Sequence, residues 1–282
     1  MSAESKIVIG VPGKWADRTA IVNSIASDSD GYLFVGSLMS HVESKEVCTL
    51  EIYDRDPELM QAYTLAGCGK ISEEDLAAID DHSHTLYVSG PGSSPEAARK
   101  LMSFANALLS CGGIAVKVES TGLAHSADQW RSLTADDSIA ALMRAFVTFV
   151  GNNGSFYSCG MHNIGLPDAT LSADVMPETA AMLLDTFLYY VASESPEIKD
   201  DETFAVDDRS PRYIVTKAPC TEFPDDNLFH NPHGVWHLTP AKKKRKRRRM
   251  VSLTDLKREK MPSFFAGKLP ADDIVLIKRA FN

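Results

Sequence analysis

The pattern of apolar and polar residues switches repeatedly between the two-residue period of strands and the 3.6-residue period of helices. Over the first ninety residues it predicts strands at residues 6–11, 32–39, 47–53 and 85–89. Between them it predicts a helix after Asp17 and two shorter helices that start near Pro57 and Ser72. Asp17 and Ser72 are residue types that cap helix N-termini, which supports these starting points.

The middle of the chain has the clearest signals. Ser94 and Pro95 open a long predicted helix that Gly112 and Gly113 end. The next strand, residues 114–119, alternates apolar and polar side chains. Since side chains alternate across a strand, Lys117 and Glu119 should be neighbours on one face.

A capping box predicts the next helix. Ser126 is followed three residues later by Gln129, so the helix starts at Ser126. His125 then lies just outside the helix N-terminus, and Trp130 lies in its first turns.

The second half repeats the alternation of helices and strands. It predicts an amphipathic helix at 139–150, a strand at 156–161, a buried helix at 177–192, and strands near Phe204 and at 213–217. We therefore expect an α+β fold, with a mixed β-sheet flanked by helices and a basic C-terminal tail.

Charge divides the chain into two unequal parts. Residues 1–241 carry 15 Lys and Arg against 34 Asp and Glu, a charge of −19, whereas residues 242–282 carry 14 against 4, a charge of +10. We predict an acidic globular domain over 1–241, with a division into two lobes near residue 90 as an alternative, a basic linker at 242–250, and a C-terminal appendage at 251–282. An acidic domain of this kind attracts basic proteins and repels nucleic acid.

The basic run has the opposite character. It consists of Lys242, Lys243, Lys244, Arg245, Lys246, Arg247, Arg248 and Arg249. It can dock on the acidic domain, contact nucleic acid or an anionic membrane surface, or simply raise solubility, and a nuclear import signal has the same composition.

The sequence favours a cytoplasmic protein. We find no signal peptide and no stretch near the roughly 20 apolar residues that span a bilayer. Five widely spaced cysteines fit reduced thiols.

Three segments resemble the bacterial family known as domain of unknown function 4261. They are residues 107–120 with His125 and Trp130, residues 160–168, and the opening at 9–15. The likeness extends from about residue 6 to residue 217 and excludes the basic run. It implies a gene among bacterial toxin, immunity and type VI secretion genes, and hence an immunity or accessory factor that occludes a basic protein partner. From these segments we expect binding residues Lys117, Glu119, Ser120, His125, Trp130, His162 and Asp168.

Two other functions remain open. Lys117, Glu119 and His125 beside a helix N-terminus suggest an enzyme that acts on an anionic small molecule, although a structural ion pair explains the same residues. The basic run suggests a nucleic-acid-associated protein.

Other patterns carry less weight. We considered zinc at His82 and His84, and at a second group that comprises Cys220, His230, His233 and His237. Without a Cys-x-x-Cys pair we expect no metal, and we expect no cofactor. The Gly10–Lys14 turn lacks a nucleotide fingerprint. Cys159 and His162 would face opposite sides of a strand, so they do not suggest a catalytic pair.

Overall fold

The computed structural model describes residues 5–152, 155–172, 175–241 and 250–252. The basic run 242–249, most of the predicted linker and residues 253–282 of the predicted appendage lie outside the described residues. Within the described part the fold is α+β, with seven α-helices and two seven-stranded sheets.

The first sheet and its helices occupy the first 126 residues. The elements are β1 (Lys6–Gly13), α1 (Arg18–Asp28), β2 (Tyr32–Val35), β3 (Leu38–His41), β4 (Val47–Asp54), α2 (Leu59–Ala66), α3 (Glu73–Asp80), β5 (His84–Pro91), α4 (Pro95–Ser110), β6 (Ala115–Val118) and β7 (Leu123–Ser126). Its strands follow the order β2-β3-β4-β5-β1-β6-β7, and every pair is antiparallel.

The second half contains the second sheet. Its elements are α5 (Ala127–Ala135), α6 (Ile139–Phe146), β8 (Thr148–Asn152), β9 (Ser155–Cys159), a 3-10 turn (Met161–Ile164), β10 (Asp168–Ser172), α7 (Pro177–Glu194), β11 (Glu202–Ala205), β12 (Tyr213–Ala218), β13 (Val235–Pro240) and β14 (Met250–Ser252). The strand order is β14-β11-β12-β13-β10-β9-β8. This sheet is mixed, because β10 runs parallel to β13 and β11 runs parallel to β14.

Side-chain caps set the helix starts that the sequence predicts. The hydroxyl of Ser94 accepts a hydrogen bond from the backbone N–H of Ala97 (3.1 Å). Ser126 and Gln129 form the complete capping box. These caps satisfy N–H groups that have no partner inside the helix.

One face of the first sheet is buried in the main core. Ile7, Ile9 and Val11 of β1 are fully buried in this core, where β1 contacts α4. The same core continues through α6 and α7 to the second sheet, so both sheets share one contiguous hydrophobic cluster. A division near residue 90 would separate β5 from β6, yet β1 pairs with both, so the sheets divide between residues 126 and 148 instead.

The opposite face of the first sheet is only partly covered. Helices α2 and α3 pack there over β6 and β7 and form a smaller core around Tyr63 and Ala124. They leave the part of this face formed by β2, β3 and β4 without a covering helix among the described elements.

Two predicted elements are wrong in extent. The helix predicted to continue to Val150 ends at Phe146, because Thr148, Phe149 and Val150 pair with β9 as a strand. β-branched and aromatic residues favour that state. The strand predicted at 32–39 is a hairpin, β2 and β3, that turns at Gly36 (φ +66°).

No helix in the described ranges is both long and apolar enough to cross a membrane.

Candidate functional site

The uncovered part of the first sheet presents an apolar surface, which we call the open face. The strand register places the residues of the open face on one side of the sheet and the buried Phe34, Met39 and Leu50 on the other side. Five apolar residues of the open face are 42% to 75% exposed: Leu33, Val35, Leu38, Val47 and Tyr53. A contiguous exposed apolar patch on a folded protein commonly marks an interaction site.

The segment that forms the open face is rich in acidic residues. Residues 28–58 hold eight Asp and Glu against two basic residues, Lys45 and Arg55. Glu51 lies on the open face itself, two positions from Tyr53 on β4. Its carboxylate accepts a hydrogen bond from the Tyr53 hydroxyl (3.4 Å). The open face therefore combines exposed apolar side chains with at least one carboxylate, on a segment of net negative charge.

Lys117 and Glu119 form the ion pair that the sequence predicts. The ammonium of Lys117 donates to Oε2 of Glu119, and both side chains are largely buried. The pair lies beneath α2, near Tyr63, on the face of the sheet that carries Ala124. Burial and the charge of Glu119 together raise the pKa of Tyr63 well above its ordinary value.

His125 does not join this pair. It is opposite Val116 in the β6–β7 register, whereas Lys117 is opposite Ala124, so Lys117 and His125 point to opposite faces of the sheet. The predicted cluster of Lys117, Glu119 and His125 therefore does not form. The imidazole of His125 instead lies between the carbonyl oxygen of Ala145 (Nε2 to oxygen, 3.1 Å) and the ring of Trp130.

The burial of His125 predicts a pH dependence of stability. Burial lowers its pKa to about 4, below the ordinary value of 6.5. The unfolded chain thus takes up a proton that the folded chain excludes. The stability contribution is fully present above pH 6.5 and is lost as pH falls towards 4, by about 3 kcal/mol in total.

Urea unfolding gives the free energy of unfolding of the wild type and of His125→Gln at pH 7 and pH 4.5. His125→Gln keeps a donor for Ala145 but does not titrate. The wild type should lose more stability than the variant between these pH values. The comparison is needed because burial raises the pKa of Asp185 to about 6, and its titration acts with the opposite sign. Equal losses in both proteins would show that His125 is not buried as a neutral ring.

The two longest segments that carry the family resemblance meet in the interior. The hydroxyl of Ser120 donates to Oδ1 of Asn163 (3.0 Å), and both residues are fully buried. Trp130 is also fully buried and donates its indole N–H to the carbonyl of Met102 (3.2 Å). A macromolecule docked on the surface cannot contact side chains buried this deeply. The binding role predicted for Ser120 and Trp130 therefore stays a prediction, and it is restricted to small ligands.

His162 and Asp168 are buried side by side. The distance between Nδ1 of His162 and Oδ2 of Asp168 is 3.9 Å, which is too long for a hydrogen bond. Neither ring nitrogen of His162 has a hydrogen-bond partner in the described part of the chain. Asp168 is held by other groups: the hydroxyl of Ser158 (2.8 Å), the N–H of Met161 (3.3 Å) and the amide of Asn231 (2.6 Å).

A chain of hydrogen bonds joins the two sheets near His162. The Ser5 hydroxyl donates to the carbonyl of His162 (2.9 Å), and Ser93 lies 3.0 Å from Ser5 and 3.2 Å from Nε2 of His233. Since the Ser5 proton is already used, Ser93 donates to Ser5 and His233 donates to Ser93. His233 therefore cannot act as a base that takes the Ser93 proton. Ser93 lies in a sharp turn between β5 and α4 (φ +67°). This arrangement holds the sheets together and does not activate a nucleophile.

The histidines considered for zinc are engaged separately. His82 is buried between the carbonyl of Ile79 and the N–H of Asp56, His230 contacts the carbonyl of Phe223, and His237 contacts Thr170. Across the described ranges no group of three or more His, Cys, Asp or Glu is placed to hold a metal ion. Burial raises the pKa of the Cys159 thiol well above its ordinary value, which makes it a poor nucleophile.

The open face is the feature that sequence reasoning missed. Its signal was the run Leu33, Phe34 and Val35, in which consecutive apolar residues predict a strand with both faces apolar. The sequence does not indicate which face stays uncovered.

A comparison of the chain with known protein families, with curated proteins and with solved structures gives no match.

Proposed function

We propose that the chain is a bacterial cytoplasmic protein-binding protein, an immunity or accessory factor of a toxin or type VI secretion locus. It acts by occlusion, covering part of a basic partner protein. The observation that carries the proposal is the open face, where five apolar side chains of β2, β3 and β4 are exposed together.

The shape of this surface fits a protein partner. An antiparallel three-stranded segment gives a broad surface, whereas a small molecule is usually held in a concave site. The exposed side chains include Val35 at 75% and Tyr53 at 54% exposure, and burying them on binding is favourable. Tyrosine is among the residues enriched at the centres of such interfaces.

Charge indicates the character of the partner. The acidic residues of segment 28–58 and the charge of −19 on residues 1–241 attract a basic surface. Complementary charge raises the association rate and disfavours acidic partners. The resemblance to domain of unknown function 4261 adds the expected source of the partner, a neighbouring toxin or secretion gene, and we propose a distant relationship to that family.

The proposal is tested with the products of the genes next to this one. Each is co-expressed with the full chain, tested for copurification at low and high salt, and tested for growth inhibition that the full chain relieves. We expect one basic product to copurify, less completely at high salt because exposed charges are screened. Recovery of no adjacent product, together with no relief of toxicity, would contradict the proposal.

A variant locates the interface. Val35→Ser combined with Leu38→Ser should weaken partner binding at least about tenfold, because it removes two apolar contacts from the open face. The melting temperature should stay unchanged, since both side chains are exposed. The matched control is Met176→Ser with Met182→Ser, which removes two exposed apolar residues at α7 (67% and 53% exposed). Equal effects of the two double variants on affinity would place the interface elsewhere.

A further inference from the structure

A small cavity lies against the second sheet, on the face opposite α7. Its volume is about 120 Å³. The floor is formed by β9, β10 and β13, and the segment 220–231 closes over it. The lining includes Asp168, which is 5% exposed, and the exposed Glu222, so the cavity extends from solvent to a buried carboxylate.

The Asp168 carboxylate has one acceptor position left. A carboxylate offers about four acceptor positions. Ser158 and the N–H of Met161 use two on Oδ1, and Asn231 uses one on Oδ2. The fourth, on Oδ2, has no donor at hydrogen-bond distance in the described residues, because His162 stands 3.9 Å away.

The three donors on Asp168 are neutral groups. Within the described ranges no Lys or Arg nitrogen lies within 4 Å of this carboxylate. Buried carboxylates are normally paired with a cation, because burial of an isolated charge is costly. The site therefore favours a positively charged group from outside.

The cavity wall suits the rest of such a ligand. Phe223 and Phe229 line it and contact each other edge to face, with ring centroids 5.6 Å apart. Aromatic faces attract ammonium and guanidinium groups and pack against carbon chains. The size is also appropriate, since an apolar cavity of about 150 Å³ holds a benzene molecule.

We propose that this cavity binds one alkylammonium or guanidinium group, with the cation at Oδ2 of Asp168 and the carbon stem against Phe223 and Phe229. The acidic Glu222 at the mouth raises the local concentration of cations. The proposal goes beyond the open-face function, because it concerns the second sheet and stands even where no partner binds the open face.

Cys220 provides a reporter, since its side chain lines the same cavity. The buried Cys48, Cys111 and Cys159 have pKa values raised by burial, so they react slowly with thiol reagents. Cys68 is exposed and reacts, so the assay uses the Cys68→Ser protein. The rate of Cys220 modification by a neutral methanethiosulfonate is measured at constant ionic strength.

The expected result is protection by cations alone. n-Butylammonium and methylguanidinium should slow the modification of Cys220 in a saturable manner, about threefold at twice the dissociation constant. 1-Pentanol and pentanoate, of similar size, should leave the rate unchanged. Absence of protection by either cation up to about 50 mM, or equal protection by pentanol, overturns the proposal. Cys68 in the Cys220→Ser protein is the control, and its rate should not respond.

The source of the cation is distinguished by a third ligand. Nα-acetyl-lysine methylamide presents the same ammonium on a peptide backbone. Protection by this compound would show that a lysine side chain of a protein can enter. Protection by butylammonium but not by the peptide analogue would assign the cavity to a free small amine. Both outcomes support the alkylammonium class.

Variants test the role of each wall. Asp168→Asn should weaken butylammonium at least about tenfold, because it removes the buried charge. If this variant does not fold, Phe223→Leu and Glu222→Gln replace it, with expected losses of about threefold and twofold. A folded Asp168→Asn protein that keeps full affinity overturns the proposal, as does full affinity in both replacement variants.

Discussion

Replacing Gly160 with alanine should destabilise the protein by about 4 kcal/mol or more. Gly160 has φ +124°, a backbone conformation that an L-residue rarely adopts. A Cβ atom there would lie 1.9 Å from the carbonyl oxygen of Phe146 and 2.8 Å from Cγ2 of Thr121. The first contact is with backbone, so the clash cannot be relieved by a side-chain rotation.

Urea unfolding of Gly160→Ala and Gly69→Ala separates the two causes. Gly69 also has a positive φ (+73°), but a Cβ there meets no heavy atom within 4 Å. Its substitution should cost only about 1–2 kcal/mol, the conformational part alone. Similar losses at both positions would mean that the turn at Gly160 relaxes freely and does not join the 3-10 turn rigidly to α6.

Local chemistry made much of this fold predictable from the sequence. The helix starts at Ser94 and Ser126 depend on side chains that bond their own neighbours, and such caps are visible in the sequence. The α+β class follows from the same alternation of periods. The end of α6 was harder to place, because Val147 and Val150 continue the apolar helical spacing while their β-branched side chains also suit a strand.

Contacts between distant segments were not predictable in the same way. The sequence places Lys117 and His125 eight residues apart, but their faces are set by the register between β6 and β7. A shift of one residue in register would reverse the outcome. Similarly, the apolar run at 32–39 predicts a strand, yet only the position of α2 and α3 leaves Val35 and Leu38 uncovered.

The cavity against the second sheet was also not predictable from the sequence. Asp168 stood out through the family resemblance, whereas Phe223 and Asn231 carry no motif. They meet because β10 pairs with β13 in parallel, which brings the segment before β13 over β10. A cluster assembled by parallel pairing across more than sixty residues leaves no local pattern in the chain.

Replacing Lys117 with methionine should destabilise the protein by about 3–5 kcal/mol. The substitution keeps a long side chain but leaves the Glu119 carboxylate, whose side chain is 17% exposed, without its cation. Tyr63 and Tyr87 lie close enough that the charge of Glu119, added to burial, raises their pKa values. Because little of the Glu119 side chain reaches solvent, the loss of its partner is costly.

The double variant Lys117→Met with Glu119→Leu distinguishes a structural pair from a binding site. Removing both charges avoids the unpaired carboxylate, so most of the stability should return, to within about 1–2 kcal/mol of the wild type. Urea unfolding of the wild type, both single variants and the double variant gives the coupling between the two residues. A Lys117→Met protein as stable as the wild type would contradict a structural pair. The lysine would then be held in place at no benefit to folding, as is expected of a residue kept for a ligand.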